Sequence, residues 1–363
     1  MKKLGFGFMR LPMQGKEIDI EQTKEMVDRF LAAGFTYFDT AHGYIGEKSE
    51  PTLKECLVDR YPRTSYVLTD KLTSGYIQKP EDVRPFFERQ LGICGVDYFD
   101  YYLLHAVGSG NLAKYESCQA FEQLRALKAE GKIKHMGMSF HDKAEVLDRI
   151  LTAHPEIEVV QIQFNYVDYD DPKVESFKCY QVCEKHDKPV LIMEPVKGGN
   201  LVDLPDEGKT VLDELGGGSY ASYAIRFAAS FPKVFMVLSG MSTLAQVEDN
   251  VSFMEEFKPL SEKEFEAVEK VREILNKQDS IACTACAYCV EGCPKKIPIP
   301  GIFSLCNTKK RYHSWNGKDW YAMRTEGKGK ASDCISCGKC EKVCPQHLKI
   351  REELKKAAEV FED

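Results

Sequence analysis

Asp39 and Tyr44 stand five residues apart in FDTAHGY, Phe38 to Tyr44, where an apolar run breaks into a polar loop. Lys71 closes the run VLTDKL and His105 closes DYYLLH. A carboxylate, a phenol, an ammonium and an imidazole make up an acid–base set. A free phenol, with a pKa of about 10, donates protons poorly near neutrality, and a neighbouring ammonium lowers that value. On this reading Lys71 acidifies Tyr44, Asp39 holds Lys71, and His105 hydrogen-bonds a carbonyl oxygen on which negative charge develops. Taken singly, Asp39 also reads as a turn cap, Tyr44 as a half-buried aromatic and His105 as a satisfied histidine. Four such residues at successive strand ends favour the chemistry.

A second set lies near the C-terminus. CTACAYCVEGCP carries Cys283, Cys286, Cys289 and Cys293, and CISCGKCEKVCP carries Cys334, Cys337, Cys340 and Cys344. Both read C-x2-C-x2-C-x3-C-P. Pairs of C-x2-C also suit tetrahedral zinc, but three cysteines at triplet spacing with a fourth before proline are the spacing of [4Fe-4S] ligands. Eight of the 14 cysteines fall in these motifs, which points to metal chemistry in a reducing compartment rather than to disulfides. Cys56, Cys94, Cys118, Cys179, Cys183 and Cys306 fit neither spacing and read as ordinary thiols.

The elements that must position these residues alternate. Eight β-rich apolar runs, from GFGFMRL to VFMVLSGM, are each followed by a segment of helical periodicity, a pattern of β and α units in a parallel sheet. Eight units in about 250 residues is the size of a (β/α)8 TIM barrel, whose catalytic groups sit at the C-terminal strand ends. The first helix, IEQTKEMVDRFLAAG, turns Ile20, Met26, Val27, Phe30 and Leu31 to one face. An open doubly wound sheet uses the same alternation, but no G-x-G-x-x-G follows the first strand. The expected layout is an α/β barrel over residues 1–260, a helical linker packing on it over 261–282, and a small C-terminal α+β ferredoxin-like iron-sulfur domain over 283–363.

Residues 281–363 hold 15 Lys and Arg against 10 Asp and Glu, whereas residues 1–280 hold 34 against 46. The basic tail lacks a groove-reading or stacking motif, which disfavours nucleic acid and leaves a solvated surface or a patch for an acidic electron-carrier protein. No run approaches the roughly 18 apolar residues of a membrane span, and the N-terminal apolar stretch is too short for a signal peptide. A cytoplasmic, membrane-free protein is expected.

FDTAHGY, the Lys of VLTDKL and the His of DYYLLH, spaced along an eightfold repeat, resemble the aldo-keto reductase superfamily over roughly residues 1–260. That resemblance implies an NAD(P)H-dependent carbonyl reductase or alcohol dehydrogenase with Tyr44 as general acid, Lys71 and Asp39 tuning it, and His105 orienting a small carbonyl or alcohol substrate. It implies nicotinamide contacts at Ser139 and Gln161, further cofactor contacts at Ser239 and Gly240, and an adenine end held by Asn250 and the neighbouring backbone. Arg10, closing the first strand, can meet a cofactor phosphate, a substrate carboxylate or a surface acid. Two departures stand out: Glu194 occupies the place of the family's stacking aromatic, and no Lys or Arg lies between Leu238 and Asn250 to hold the 2′-phosphate of NADP. NADH or a relaxed preference is expected.

The cysteine motifs resemble two-cluster bacterial ferredoxins, in which the fourth cysteine crosses over. This implies one [4Fe-4S] cluster on Cys283, Cys286, Cys289 and Cys344 and another on Cys334, Cys337, Cys340 and Cys293. The alternative function is an iron-sulfur electron-transfer module whose barrel is a scaffold or binds a flavin, since hydride carries two electrons and each cluster accepts one.

Overall fold

All eight apolar runs form parallel strands, and these close into a barrel. The strands are β1 Leu4–Gly7, β2 Tyr37–Asp39, β3 Val67–Thr73, β4 Phe99–Val107, β5 Ile133–Phe140, β6 Val159–Gln163, β7 Val190–Met193 and β8 Val234–Ser239. Each pairs with its neighbours in sequence, and β1 pairs with β8 to complete the ring. This computed structural model describes residues 2–172, 174–277, 281, 283, 287–311, 317–344 and 346–362.

Alternate strand residues point inward. Tyr37, Leu103, Val159, Leu191, Met236 and Leu238 fill the interior, with Val67, Tyr101 and Phe235 packed against them. Gly137 on β5 is a glycine for want of room. A Cβ there would lie 2.4 Å from Val159 Cγ1 and 2.8 Å from Leu103 Cδ2.

The first helix, Ile20–Ala32, starts where the Asp19 carboxylate accepts a bond from the Gln22 amide, and it buries Thr23, Met26, Val27 and Phe30. The Phe30 ring packs 5.5 Å from both Phe6 and Phe38, a burial that stabilises by about 2–3 kcal/mol. Ile20 and Leu31, expected on the same face, lie at its margin and are only partly buried. The helix Glu262–Lys277 begins on the barrel, where Phe265 meets Phe227 at 5.7 Å and Glu264 accepts from Arg226 at 2.6 Å.

The chain divides into two units, Met1–Leu201 with Leu215–Glu269 and Val202–Glu214 with Lys270–Asp363. The division falls inside the Glu262–Lys277 helix rather than at residue 260. The described residues of the second unit form helices and turns. The segment between the cysteine motifs holds the helices Ile299–Arg311 and Lys318–Thr325. Ile297, Ile302, Phe303, Leu305, Leu354 and Phe361 build a separate core there, and Tyr321 stacks on Phe361 at 5.1 Å.

Candidate functional site

Strand register brings the proposed acid–base set together. Asp39 pairs with Thr69, Lys71 lies two residues further along β3, and Thr73, two further still, pairs with His105. A period of two puts Asp39, Lys71, Thr73 and His105 on one face at the C-terminal rim. The Lys71 ammonium donates to Asp39 Oδ1 at 2.6 Å and to the Thr40 carbonyl at 2.7 Å, with Lys71 fully buried. Its Nζ lies 4.8 Å from the centre of the Tyr44 ring. That ring stands nearly perpendicular to the His105 imidazole, with centroids 5.7 Å apart.

The electrostatics correct one expectation. Burial raises the Tyr44 phenol, Lys71 pulls it down and Asp39 pushes it up again, so the balance lies above the ordinary tyrosine value. Lys71 does act in the expected direction. Its field is blunted because a carboxylate sits 2.6 Å from the ammonium, and the phenol is desolvated besides. Burial also pulls Lys71 down, but Asp39 and Tyr44 hold it above its ordinary value, keeping it an ammonium. Burial and then Lys71 push His105 down to about 3, so the ring is neutral. Its Nδ1 shares a 2.7 Å hydrogen bond with Thr73 Oγ1.

Behind β3 lies a buried polar network that sequence patterning did not disclose. His42 Nδ1 bonds Glu50 Oε2 at 2.6 Å. Gln90 Nε2 donates to Glu50 Oε1 at 2.9 Å, Asp70 Oδ1 at 3.0 Å and the Lys71 carbonyl at 3.2 Å. Burial first and the neighbouring Glu50 second drive the Asp70 carboxyl well above its usual range. Ser49 donates to the Phe8 carbonyl at 2.8 Å and bonds Thr40 Oγ1 at 2.7 Å. Together these contacts clip the loop carrying Tyr44 at both ends and tie it to the strand carrying Lys71. In the sequence these residues stand apart, Glu50 among the polar letters of GEKSEPTLKE and Asp70 inside the apolar run VLTDKL.

The proposed cofactor residues fare unequally. Ser139 and Gln161 pair across β5 and β6 and are both buried. Ser139 Oγ accepts from the Ala106 amide at 2.7 Å. Gln161 Oε1 is buried without a hydrogen-bond partner among the described residues. Asn250 and Ser239 bond each other at 2.7 Å, and both are buried. Arg10 lies against Gly240, where a Cβ would come 3.2 Å from its Cβ. Its guanidinium pairs loosely with Glu194 at 3.5 Å, with Arg10 exposed and Glu194 half-buried.

In the second unit, seven of the eight motif cysteines are among the described residues, and Cys286 lies outside them. They gather at two cavities. Cys283, Cys289 and Cys344 line one, and Cys293, Cys334, Cys337 and Cys340 line another. Each cavity thus takes cysteines from both motifs. Ala287, at φ 66°, and Gly338, at φ 74°, hold equivalent left-handed positions after the second cysteine of each motif. Such turns aim successive N–H groups at one point. Cys56, Cys94, Cys118, Cys179, Cys183 and Cys306 are buried. Burial pushes the Cys306 thiol up to about 11.

The sequence model of the aldo/keto reductase family matches residues 3–273, and that of a 4Fe-4S dicluster domain matches residues 282–349. L-galactose dehydrogenase of Arabidopsis thaliana is 25% identical over 278 residues, covering 71% of this chain and 85% of that protein. NAD(P)H-dependent D-xylose reductase of Scheffersomyces stipitis is 26% identical over 186 residues, 45% of this chain and 56% of that protein. Among solved structures, an aldo/keto reductase from Klebsiella pneumoniae in complex with NADP and acetate has a TM-score of 0.61 at 19% identity, over 74% of this chain and 91% of that one. An aldo-keto reductase from Bacillus halodurans in its holo form has the same TM-score of 0.61 at 23% identity, with 74% and 91% covered. These structural likenesses show the fold.

Proposed function

Because the chain belongs to the aldo/keto reductase family, we propose that this oxidoreductase reduces a small carbonyl compound, or oxidises the corresponding alcohol, with Tyr44 as the proton donor. The observation that carries this reading is the meeting of Tyr44, the Lys71–Asp39 pair and a neutral His105 at one rim of the barrel. A nicotinamide cofactor, when bound, supplies or accepts the hydride.

The chain's own residues supply the rest. Held above the ordinary tyrosine value, the Tyr44 phenol keeps its proton near neutrality, so the proton to be transferred is present at the site. Lys71, kept cationic, stabilises the phenolate left behind as the proton departs. The neutral His105, with Nδ1 engaged by Thr73 Oγ1, offers Nε2–H to the carbonyl oxygen in the matching tautomer. The unpartnered Gln161 Oε1 and the Ser139 hydroxyl are of the type that grips a carboxamide, and they fit a nicotinamide at β5 and β6. At the phosphate end, the loose Arg10–Glu194 pair contributes little stability, so Arg10 can exchange Glu194 for a phosphate at low cost. The loop from Leu238 to Asn250 has no cation, which supports acceptance of NADH alongside NADPH.

In the second unit the reading is two [4Fe-4S] clusters, one on Cys283, Cys286, Cys289 and Cys344 and the other on Cys334, Cys337, Cys340 and Cys293. The grouping of seven of these residues at two cavities supports it. Each cluster exchanges single electrons, which suits a one-electron carrier protein as partner. The test is anaerobic oxidation of NADH and NADPH against a panel of aldehydes and ketones, together with iron and sulfide analysis. Turnover of at least one carbonyl and about eight irons per chain are expected. No turnover of any carbonyl, or of any alcohol in reverse, counts against the barrel assignment, and absence of iron counts against the clusters.

A further inference from the structure

The two cysteine cavities differ in surroundings. The cavity with Cys283, Cys289 and Cys344 is walled by Ile299, Pro300, Phe303, Leu348 and Ile350, with no charged residue among the described residues of its lining. The cavity with Cys293, Cys334, Cys337 and Cys340 has Lys295, Lys339 and Arg351 on its lining and no acidic residue among the described residues there. Ile299 lines both, so the two are neighbours.

The second cavity also reaches the surface. Cys337 is exposed, as are Ile335 at 57% and Val343 at 49%. Lys295, Lys339 and Lys342 are exposed around them. Lys339 and Lys342 lie three residues apart on the helix Lys339–Lys342 and so share a face. None of these three lysines has an ion-pair partner among the described residues, and two neighbouring acids are engaged elsewhere. Glu341 pairs with Arg351 at 2.8 Å, and Asp333 accepts from the Lys330 amide at 2.7 Å. An exposed apolar centre rimmed by uncompensated cations has the anatomy of a docking face, and the sign of the rim selects an acidic partner.

Building on the iron-sulfur reading above, we propose that the cavity of Cys293, Cys334, Cys337 and Cys340 is the unit's electron port, and that a small acidic one-electron carrier protein docks over Ile335, Cys337 and Val343 through Lys295, Lys339 and Lys342. In each encounter one electron passes between carrier and cluster. One is oxidised by one electron as the other is reduced by one, and no bond or proton is exchanged. The neutral, apolar cavity houses the inner cluster, which exchanges with the outer one.

The experiment uses the full anaerobic holoprotein and a reduced acidic [2Fe-2S] ferredoxin as probe. The bleaching rate is followed by stopped flow at low and high salt, and the oxidised probe is cross-linked by carbodiimide as a readout that needs no turnover. The expected result is fast transfer that falls with salt. In the Lys339→Glu/Lys342→Glu variant the rate should drop about tenfold or more at low salt, with lost cross-linking and unchanged iron content. Basic cytochrome c as the alternative probe, oxidising reduced holoprotein, should show the opposite ordering between native and variant. Iron-loaded native protein whose rate and cross-linking ignore both salt and the charge reversal overturns the port alone. Protein purified without iron overturns the cluster reading and the port together.

Discussion

Substitution of Lys71 by Met isolates the electrostatics of the barrel rim. The side chains of Lys71 and Asp39 are 0% and 3% exposed and 2.6 Å apart, so solvent does little to relieve a broken pair. Lys71→Met leaves the Asp39 carboxylate buried without a partner and the Thr40 carbonyl without its 2.7 Å donor. Stranding one member of a buried pair costs about 3–5 kcal/mol, which lowers a melting midpoint by about 10 °C in a domain of this size. The Asp39→Asn/Lys71→Met double variant removes the stranded charge and should recover about 2 kcal/mol or more. It should remain inactive, since the ammonium that steadies the Tyr44 phenolate is gone. Burial already raises the native Asp39 carboxyl against the pull of Lys71, and in the single variant the loss of that pull raises it further above its unfolded value of about 3.9. A raised native pKa gives a stabilising contribution that is full at low pH and lost as pH rises through the native value. The deficit of Lys71→Met against the native protein should therefore shrink as pH falls from about 8 towards about 5. Thermal and urea unfolding across that range provide the assay. A Lys71→Met protein as stable as the native one at neutral pH, or a deficit independent of pH, would refute the reasoning.

Three further outcomes follow from the site. Glu50→Gln keeps an acceptor for Gln90 but removes the charge facing His42, so stability should fall by about 1–3 kcal/mol and kcat should fall with little change in cofactor Kd, as urea unfolding and steady-state kinetics will measure. His105 is held neutral down to about 3, so carbonyl reduction should show no histidine inflection between about pH 5 and pH 8. Because its native pKa is lowered, His105 stabilises the fold above the unfolded value of about 6.5, and that contribution is lost as pH falls towards the native value. His105→Gln should flatten this acid limb in pH-dependent unfolding. Gln161→Leu should raise the apparent KM for the nicotinamide cofactor about tenfold, the loss of one buried hydrogen bond, and an unchanged KM would remove Gln161 from the cofactor's contacts.

The strands and the rim residues were legible because both rest on local rules. A period of two and a polar residue at a strand end are readable within six or seven letters, and VLTDKL and DYYLLH carry them. The cysteine motifs were legible for the same reason. What escaped depends on distant pairings. Gln90 bridges Glu50, Asp70 and the Lys71 carbonyl across 40, 20 and 19 residues, and no window of sequence contains that contact. The upward balance at Tyr44 escaped because it is a competition among burial, Lys71 and Asp39 whose outcome depends on distances. Ser239 and Asn250 read as open contacts, yet they bond each other behind β8. The helices between the cysteine motifs carried a composition that a spacer of any type could share.

The central claim is that the Tyr44 hydroxyl hands its proton to the carbonyl oxygen, and Tyr44→Phe removes that one atom. Under anaerobic conditions, with nicotinamide binding checked by fluorescence titration, the variant should bind cofactor as the native protein does. Its kcat for carbonyl reduction should fall by about a hundredfold or more. A variant that binds cofactor normally and reduces the same carbonyl within a few-fold of the native rate would contradict it.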